Sequence, residues 1–168
     1  MMARAKPTFA MRPFLPADAP LLAEIFRSSV EELTGDDYDE GQQEAWAAAV
    51  DDEAVFGKRL AGALTLVATL GGAPVGFASL KDNTQIDLLY VLSAAAGQGV
   101  GSMLVDALEK LAAARGASKL EAEVSDSAHE FFRKRGFIDQ RRNTIPLGDE
   151  WLANTTMEKP LVAKEIAR

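Results

Sequence analysis

Three glycines at alternate positions, Gly97, Gly99 and Gly101, stand at the head of the amphipathic stretch Gly99 to Ala114. That stretch has Val100, Met103, Leu104, Ala107, Leu108 and Leu111 at helical spacing, so it reads as a helix with one buried stripe. Upstream, Gln85 to Leu92 reads as a strand. A strand that runs into alternating glycines and then a helix restricts the fold strongly. Such glycines reach backbone conformations closed to other residues, and successive N–H groups can then point inward as an anion nest. The helix N-terminus adds unpaired N–H groups and a partial positive charge. Together these make a seat for phosphate oxygens that needs no Lys or Arg. Glycines alone also permit a plain tight turn; the flanking strand and helix favour the phosphate seat.

The kind of phosphate ligand follows from what surrounds the glycines. A P-loop requires Gly-Lys-Ser/Thr at the helix start, and the chain has Gly101-Ser102-Met103, which excludes it. A dinucleotide fingerprint requires Gly-x-Gly-x-x-Gly directly after a strand. Here Ser102 takes the place of the last glycine and Leu92 to Ala96 intervenes after the strand, although Glu121 or Glu123 stands at the distance of a ribose-binding acid. A nicotinamide oxidoreductase is therefore the weaker alternative.

The elements on either side define the sheet. Phe9 to Phe14 reads as a first strand, and Asp18 as the N-cap of a helix through Leu33, with Pro20 in its first turn. A second helix is expected over Glu40 to Val50, while Asp51 to Gly62 has no decisive pattern. Leu64 to Leu70 and Pro74 to Leu80 form a hairpin across Gly71-Gly72, and Lys81-Asp82-Asn83 turns the chain into the next strand. Lys119 to Val124 alternates Leu120, Ala122 and Val124 against Glu121 and Glu123. Strand, helix and strand in that order imply a parallel crossover. Ser127 to Arg135 is a short helix with Ser127 and Glu130 spaced as a capping box. Phe137 to Ile145 and Trp151 to Glu158 close the sheet. The expected fold is a mixed α/β sheet, an antiparallel N-terminal meander followed by a strand–helix–strand crossover, with helices on both faces. It occupies residues 1–168 as one domain, with 1–8 and 162–168 as flexible tails.

Composition removes several functions. With no Cys, there is no thiolate zinc site and no Cys nucleophile, and a single His, His129, leaves no His-rich metal cluster. No metal is expected. A formal charge of −7 argues against nucleic acid as a partner. No apolar run approaches a membrane span and no leader-like segment opens the chain. A cytoplasmic protein is expected, with no membrane partner.

Two segments at their proper separation, Ile86-Asp87-Leu88-Leu89-Tyr90-Val91 followed by Gly97-Gln98-Gly99-Val100-Gly101-Ser102, and Ala128 with Phe131-Phe132-Arg133-Lys134-Arg135-Gly136-Phe137, resemble the GNAT superfamily of N-acetyltransferases. Met157-Glu158-Lys159-Pro160-Leu161 is a third, weaker match. The resemblance implies acetyl-CoA as cosubstrate and acyl transfer to a primary amine of a small molecule or peptide by direct attack in a ternary complex. It implies that backbone N–H groups of Gln98, Gly99, Val100, Gly101 and Ser102 hold the pyrophosphate. It also implies that the backbone of Leu89, Tyr90 and Val91 pairs with pantetheine like an added strand. Ser127, Phe131, Phe132 and Arg135 are the further cofactor-side expectations. The chain departs from the family at Ala96, where Gln or Arg is usual, at Ser125 for Asn, and at Phe132 for the Tyr that protonates the leaving thiolate. Those departures leave open a second reading, a CoA or acyl-CoA binding module without turnover. A homodimer is allowed for.

Acyl transfer from a thioester to an amine needs a base for the ammonium, a donor for the oxyanion and a proton for the sulfur. Asp87 is the first candidate base, since strand alternation places Gln85, Asp87 and Leu89 on one face; an Asp held by Arg or a backbone N–H is the competing reading. Glu123 is the second, with a solvated strand face as its alternative. Tyr90 and Ser127 are the nearest acids, and a backbone N–H near Tyr90 or Val91 the oxyanion donor. His129 and Lys134 are surface residues by default. The acceptor's route, by the same resemblance, passes the acidic segment Glu31, Glu32, Asp36, Asp37, Asp39 and Glu40, with Tyr38 and Trp46.

Overall fold

The sheet begins as the expected meander. In the computed structural model, which describes residues 8–162, β1 (Phe9–Pro13), β2 (Leu64–Leu70), β3 (Ala73–Lys81) and β4 (Gln85–Val91) pair antiparallel in sequence order. The turn at Gly71-Gly72 joins β2 to β3, and Asp82 and Asn83 both take positive φ in the turn into β4, a conformation Asn and Asp tolerate better than most residues. The chain then crosses over through α4 (Val100–Ala114) to β5 (Lys119–Ser125), which lies parallel to β4. A final hairpin, β6 (Ile138–Leu147) and β7 (Glu150–Pro160), adds β7 antiparallel to β5. The order is β1-β2-β3-β4-β5-β7-β6.

Helices cover both faces. On one, α1 (Ala19–Leu33), α2 (Glu40–Ala47) and α3 (Glu53–Ala61) close a core of Leu22, Phe26, Val30, Phe56, Leu60, Val67, Phe77 and Leu88. On the other, α4 and α5 (His129–Lys134) pack Leu104, Val105, Leu108 and Phe132, with Phe137 just beyond α5, on Ala78, Leu120, Val124 and Met157. β3 is buried on both faces from Val75 to Leu80, as a central strand between two helical layers must be. Gly76 is where α4 comes closest: a Cβ there would meet the Tyr90 carbonyl and Val100 at 3.1 Å.

Three local expectations change. The undecided stretch Asp51 to Gly62 contains α3, capped by Asp52 accepting from the Val55 N–H at 3.1 Å. Asp18 precedes α1 but does not cap it; its carboxylate turns back to the Leu15 N–H at 2.8 Å and takes both Arg12 Nη atoms at 2.7 and 2.8 Å. α1 needs no cap because Leu22, Ile25, Phe26 and Val30 are buried, each contributing about 1.5–3 kcal/mol. Ser127 is likewise no cap, since its hydroxyl donates to Asp37 at 2.8 Å while Ser125 accepts the Ala128 N–H at 3.2 Å. The tails expected over 1–8 and 162–168 lie outside the described residues except for Thr8 and Val162.

Candidate active site

β4 and β5 are paired only at Gln85–Glu121 and Ile86–Ala122. Beyond those two rungs they diverge, and a cleft of about 730 Å³ opens between them. It runs from the α4 N-terminus, past Leu89, Tyr90 and Val91, to Val30, Thr34, Trp46 and Glu123.

A bulge decides what β4 shows this cleft. Ser79 pairs with Leu88 while Leu80 pairs with Ile86, so Asp87 is an extra residue in β4. One inserted residue reverses the alternation beyond it. Ile86, Leu89 and Val91 accordingly pack toward α4, and Leu88 and Tyr90 toward α1 and α3. The hydrogen-bond direction reverses with it. The Leu92 N–H donates to Val75 O at 2.9 Å, which makes Tyr90–Phe77 the next bonded pair and leaves the N–H and C=O of Leu89 and Val91 facing the open cleft. Tyr90's own backbone is engaged with β3, a correction to the expectation that all three residues present theirs.

The bulge also corrects the placement of Asp87. Asp87 does not share a face with Leu89. It lies on the α3 side, where Arg59 grips it in two parallel bonds, Nε to Oδ2 at 2.8 Å and Nη2 to Oδ1 at 3.0 Å. Its side chain is 14% exposed.

At the loop end, Gly97 (φ 75°) and Gly99 (φ 88°) take the left-handed conformation. A Cβ on either would meet nothing within 4 Å, so open space lies over the loop. The first N–H groups of α4 have no partner within the helix; Gly99, Val100, Gly101 and Ser102 line the cleft there. Phe131 packs against Gly101, at 3.4 Å from where a Cβ would sit. Phe132, 4% exposed, belongs to the core and also lines the cleft. Gln98 and Arg135 do not line it. The Gln98 amide folds back on Ala94 O at 3.0 Å, and Arg135 is drawn to Asp106 and Glu109 of α4, its guanidinium 5.7 Å from the Phe131 ring centre. His129 pairs with Asp139 at 2.7 Å, away from the cleft.

The far end is assembled from side chains. Tyr38 stacks edge-on against Trp46 at 5.4 Å, and the Trp46 Nε1–H donates to the Tyr90 hydroxyl at 3.2 Å. Tyr90 lies between Phe26 and Phe77, and burial pushes its phenol up to about 12. The last turn of α1 and the segment after it span the mouth of the cleft. Glu32 bonds Ser93 after β4, Asp37 bonds Ser127 after β5, and the Tyr38 hydroxyl accepts from the Asp126 N–H at 2.9 Å while donating to Ala153 O at 2.6 Å. Glu123 accepts from Thr156 Oγ1 at 2.9 Å on Oε1 and from Asn143 Nδ2 at 2.9 Å on Oε2. Asn143, Thr156 and Arg59 were not legible as site residues; the one signal within reach was the pairing of Glu123 with Thr156 that follows once β7 is registered against β5. Among the described residues no group of three or more His, Cys, Asp or Glu could hold a metal ion, and no helix is long and apolar enough to cross a membrane.

This geometry has close relatives. The chain matches the family model for the acetyltransferase (GNAT) domain over residues 34–161. A GCN5-related N-acetyltransferase from Rhodopseudomonas palustris is 58% identical, with a TM-score of 0.90 over 96% of this chain and 99% of that one. At 21% identity, where likeness speaks for the fold, the PaiA N-acetyltransferase from Thermoplasma acidophilum, solved with coenzyme A, reaches a TM-score of 0.77 over 91% of this chain and 99% of its own. YncA from Salmonella typhimurium, solved with acetyl-CoA, reaches 0.63 at 21% identity over 96% and 98%. A comparison with curated proteins finds no match. With three quarters of its length under the family model and its splayed strands, glycine loop and crossover all in place, the chain belongs to the GNAT acetyltransferase family.

Proposed function

We propose that the protein is an N-acetyltransferase that moves an acetyl group from acetyl-CoA to a primary amine of a small molecule or peptide by direct attack. The observation that carries this reading is the divergence of β4 from β5, which leaves the backbone edges of Leu89 and Val91 facing a cleft that joins a phosphate seat to a carboxylate. The residues fit the cosubstrate. The N–H groups at the start of α4 and the open space over Gly97 and Gly99 suit a pyrophosphate, and the free edge of β4 suits an extended amide-bearing arm. When bound, acetyl-CoA supplies an activated acyl group as a thioester. The Val91 and Leu89 N–H groups are then the donors nearest a developing oxyanion. A donor made inside cells suits a cytoplasmic enzyme.

Glu123 is the base in this reading. Asp87 accepts a proton only by giving up a bidentate ion pair with Arg59. Glu123 lines the cleft and accepts two neutral hydrogen bonds, so about half of its roughly four lone-pair sites remain open. Trp46 and Tyr90 line the same cleft with their aromatic rings, a setting that lowers the cost of a neutral amine.

Calorimetry with acetyl-CoA, followed by a thiol-release assay across a panel of amines, tests the proposal. Saturable binding and acceptor-dependent release well above thioester hydrolysis are expected. Folded protein that binds no acetyl-CoA overturns the reading. Binding without release on any amine would leave the non-catalytic CoA module, the alternative raised by Ala96, Ser125 and Phe132.

A further inference from the structure

The two carboxylates that face the cleft are held in opposite ways. Asp87 is neutralised by a guanidinium, whereas Glu123 is oriented without one. Thr156 lies directly across from Glu123 in the β5–β7 pairing and is 2% exposed. Its hydroxyl gives its single proton to Glu123 Oε1 at 2.9 Å, so it must itself accept; Asn143 Nδ2 at 2.9 Å and Arg141 Nη2 at 3.3 Å are the donors in reach. Asn143, on β6 and outermost in the sheet, also has Glu123 Oε2 at 2.9 Å and Asn154 Oδ1 at 3.0 Å from the same Nδ2, whose two protons are shared among the three acceptors. The result is a connected network in which each bond polarises the next. Among the described residues the cation in it is Arg141, which also donates from Nε to Asn143 Oδ1 at 3.0 Å and so stands one side chain removed from the carboxylate on either path. Both oxygens are thereby fixed in place by neutral donors.

We propose that Thr156 and Asn143 are positioning residues, which hold Glu123 in the orientation that takes the proton from the acceptor amine. This rests on the role given to Glu123 above. Fixing a reacting group within a fraction of an ångström is worth an order of magnitude or more in rate, and it acts through Glu123 alone. A residue that only stabilises the sheet behaves otherwise, because its removal costs the same whether or not Glu123 is present.

A double-mutant cycle separates the two. Thr156→Val removes the hydroxyl while keeping the branched shape, and is expected to lower kcat about 10-fold with the KM for acetyl-CoA within about 2-fold of wild type. Thr156→Ser, which restores a hydroxyl, is expected to recover most of kcat. Asn143→Ala should resemble Thr156→Val. In the Glu123→Gln background either loss should shrink below about 2-fold. Equal losses in both backgrounds, or no rescue by Ser, would overturn the positioning role while leaving the acetyltransferase standing. Wild-type protein that binds acetyl-CoA but transfers to no amine would instead overturn the functional reading from which this role is derived, and is seen before any variant is made. Should Asn143→Ala not fold, Asn143→Ser provides the same comparison.

Discussion

The two ends of the cleft are built from different parts of the chain. The loop end is backbone: N–H groups at the head of α4, the free edge of β4, and glycines whose value is the side chain they lack. The far end is side chain: Glu123, Thr156, Asn143, Tyr38 and Trp46, brought together from α2, the segment before it, and three strands. A backbone site tolerates almost any neighbours provided the local conformation is kept. A side-chain site depends on each member. The first suits acetyl-CoA as cosubstrate, and the second suits recognition by individual side chains.

The largest effect should come from the side-chain end. Glu123→Gln is expected to lower kcat by about 10²–10⁴ while the affinity for acetyl-CoA measured by calorimetry stays near wild type. Asp87→Asn is the contrast: it strands Arg59, which is 46% exposed, and should cost about 1 kcal/mol of stability in denaturant titrations with a much smaller change in rate. If the two variants exchange these outcomes, the base is Asp87. At the loop end, Gly99→Val forces a β-branched residue to a φ of 88°. About 100-fold weaker acetyl-CoA binding is expected, with the circular dichroism spectrum unchanged, since strain and blocked N–H groups act together. Intact affinity would mean that the phosphates sit elsewhere.

Smaller effects sharpen the boundary between the ends. Tyr38→Phe leaves the Asp126 N–H and Ala153 C=O without their partner, which should cost about 1–3 kcal/mol and raise the acceptor KM more than the acetyl-CoA KM. Asp18 lies in neither end and serves as the control. The hydrogen-bonded Arg12 holds its carboxyl below the ordinary carboxylate range. Folding therefore favours the ionised form, and this contribution is complete above the unfolded value and fades as pH falls through the folded one. Asp18→Asn should cost about 1 kcal/mol near pH 7, converge with wild type in strong acid, and leave both KM values unchanged.

The same division explains what could be read in advance. The glycine loop, the hairpin at Gly71-Gly72 and the alternation of β5 are short-range patterns whose physical meaning is complete within a few residues. α3 was missed because only Phe56 and Leu60 are deeply buried along it, too sparse a stripe to set a period. Glu123 was legible as a candidate, but not how it is held: Thr156 lies 33 positions away and Asn143 20, and Tyr38 reaches Asp126 across 88. The face of Asp87 was misread because a bulge is invisible to a period-two pattern. Arg59, 28 positions earlier, gave no sign of its partner.

That single extra residue in β4 works like a frameshift. Every position after it is read in the other phase, so Leu89 and Val91 turn their amides outward and Tyr90 turns its ring inward. Were Asp87 instead to take a regular place opposite Ser79, the strand would return to the original phase. The strand would still have β3 to pair with, yet the Tyr90 ring would be displaced from between Phe26 and Phe77, and the outward amides would belong to Leu88 and Tyr90. A slip of one residue thus separates a β4 whose free edge can receive a ligand from the same strand presenting the wrong residues to it.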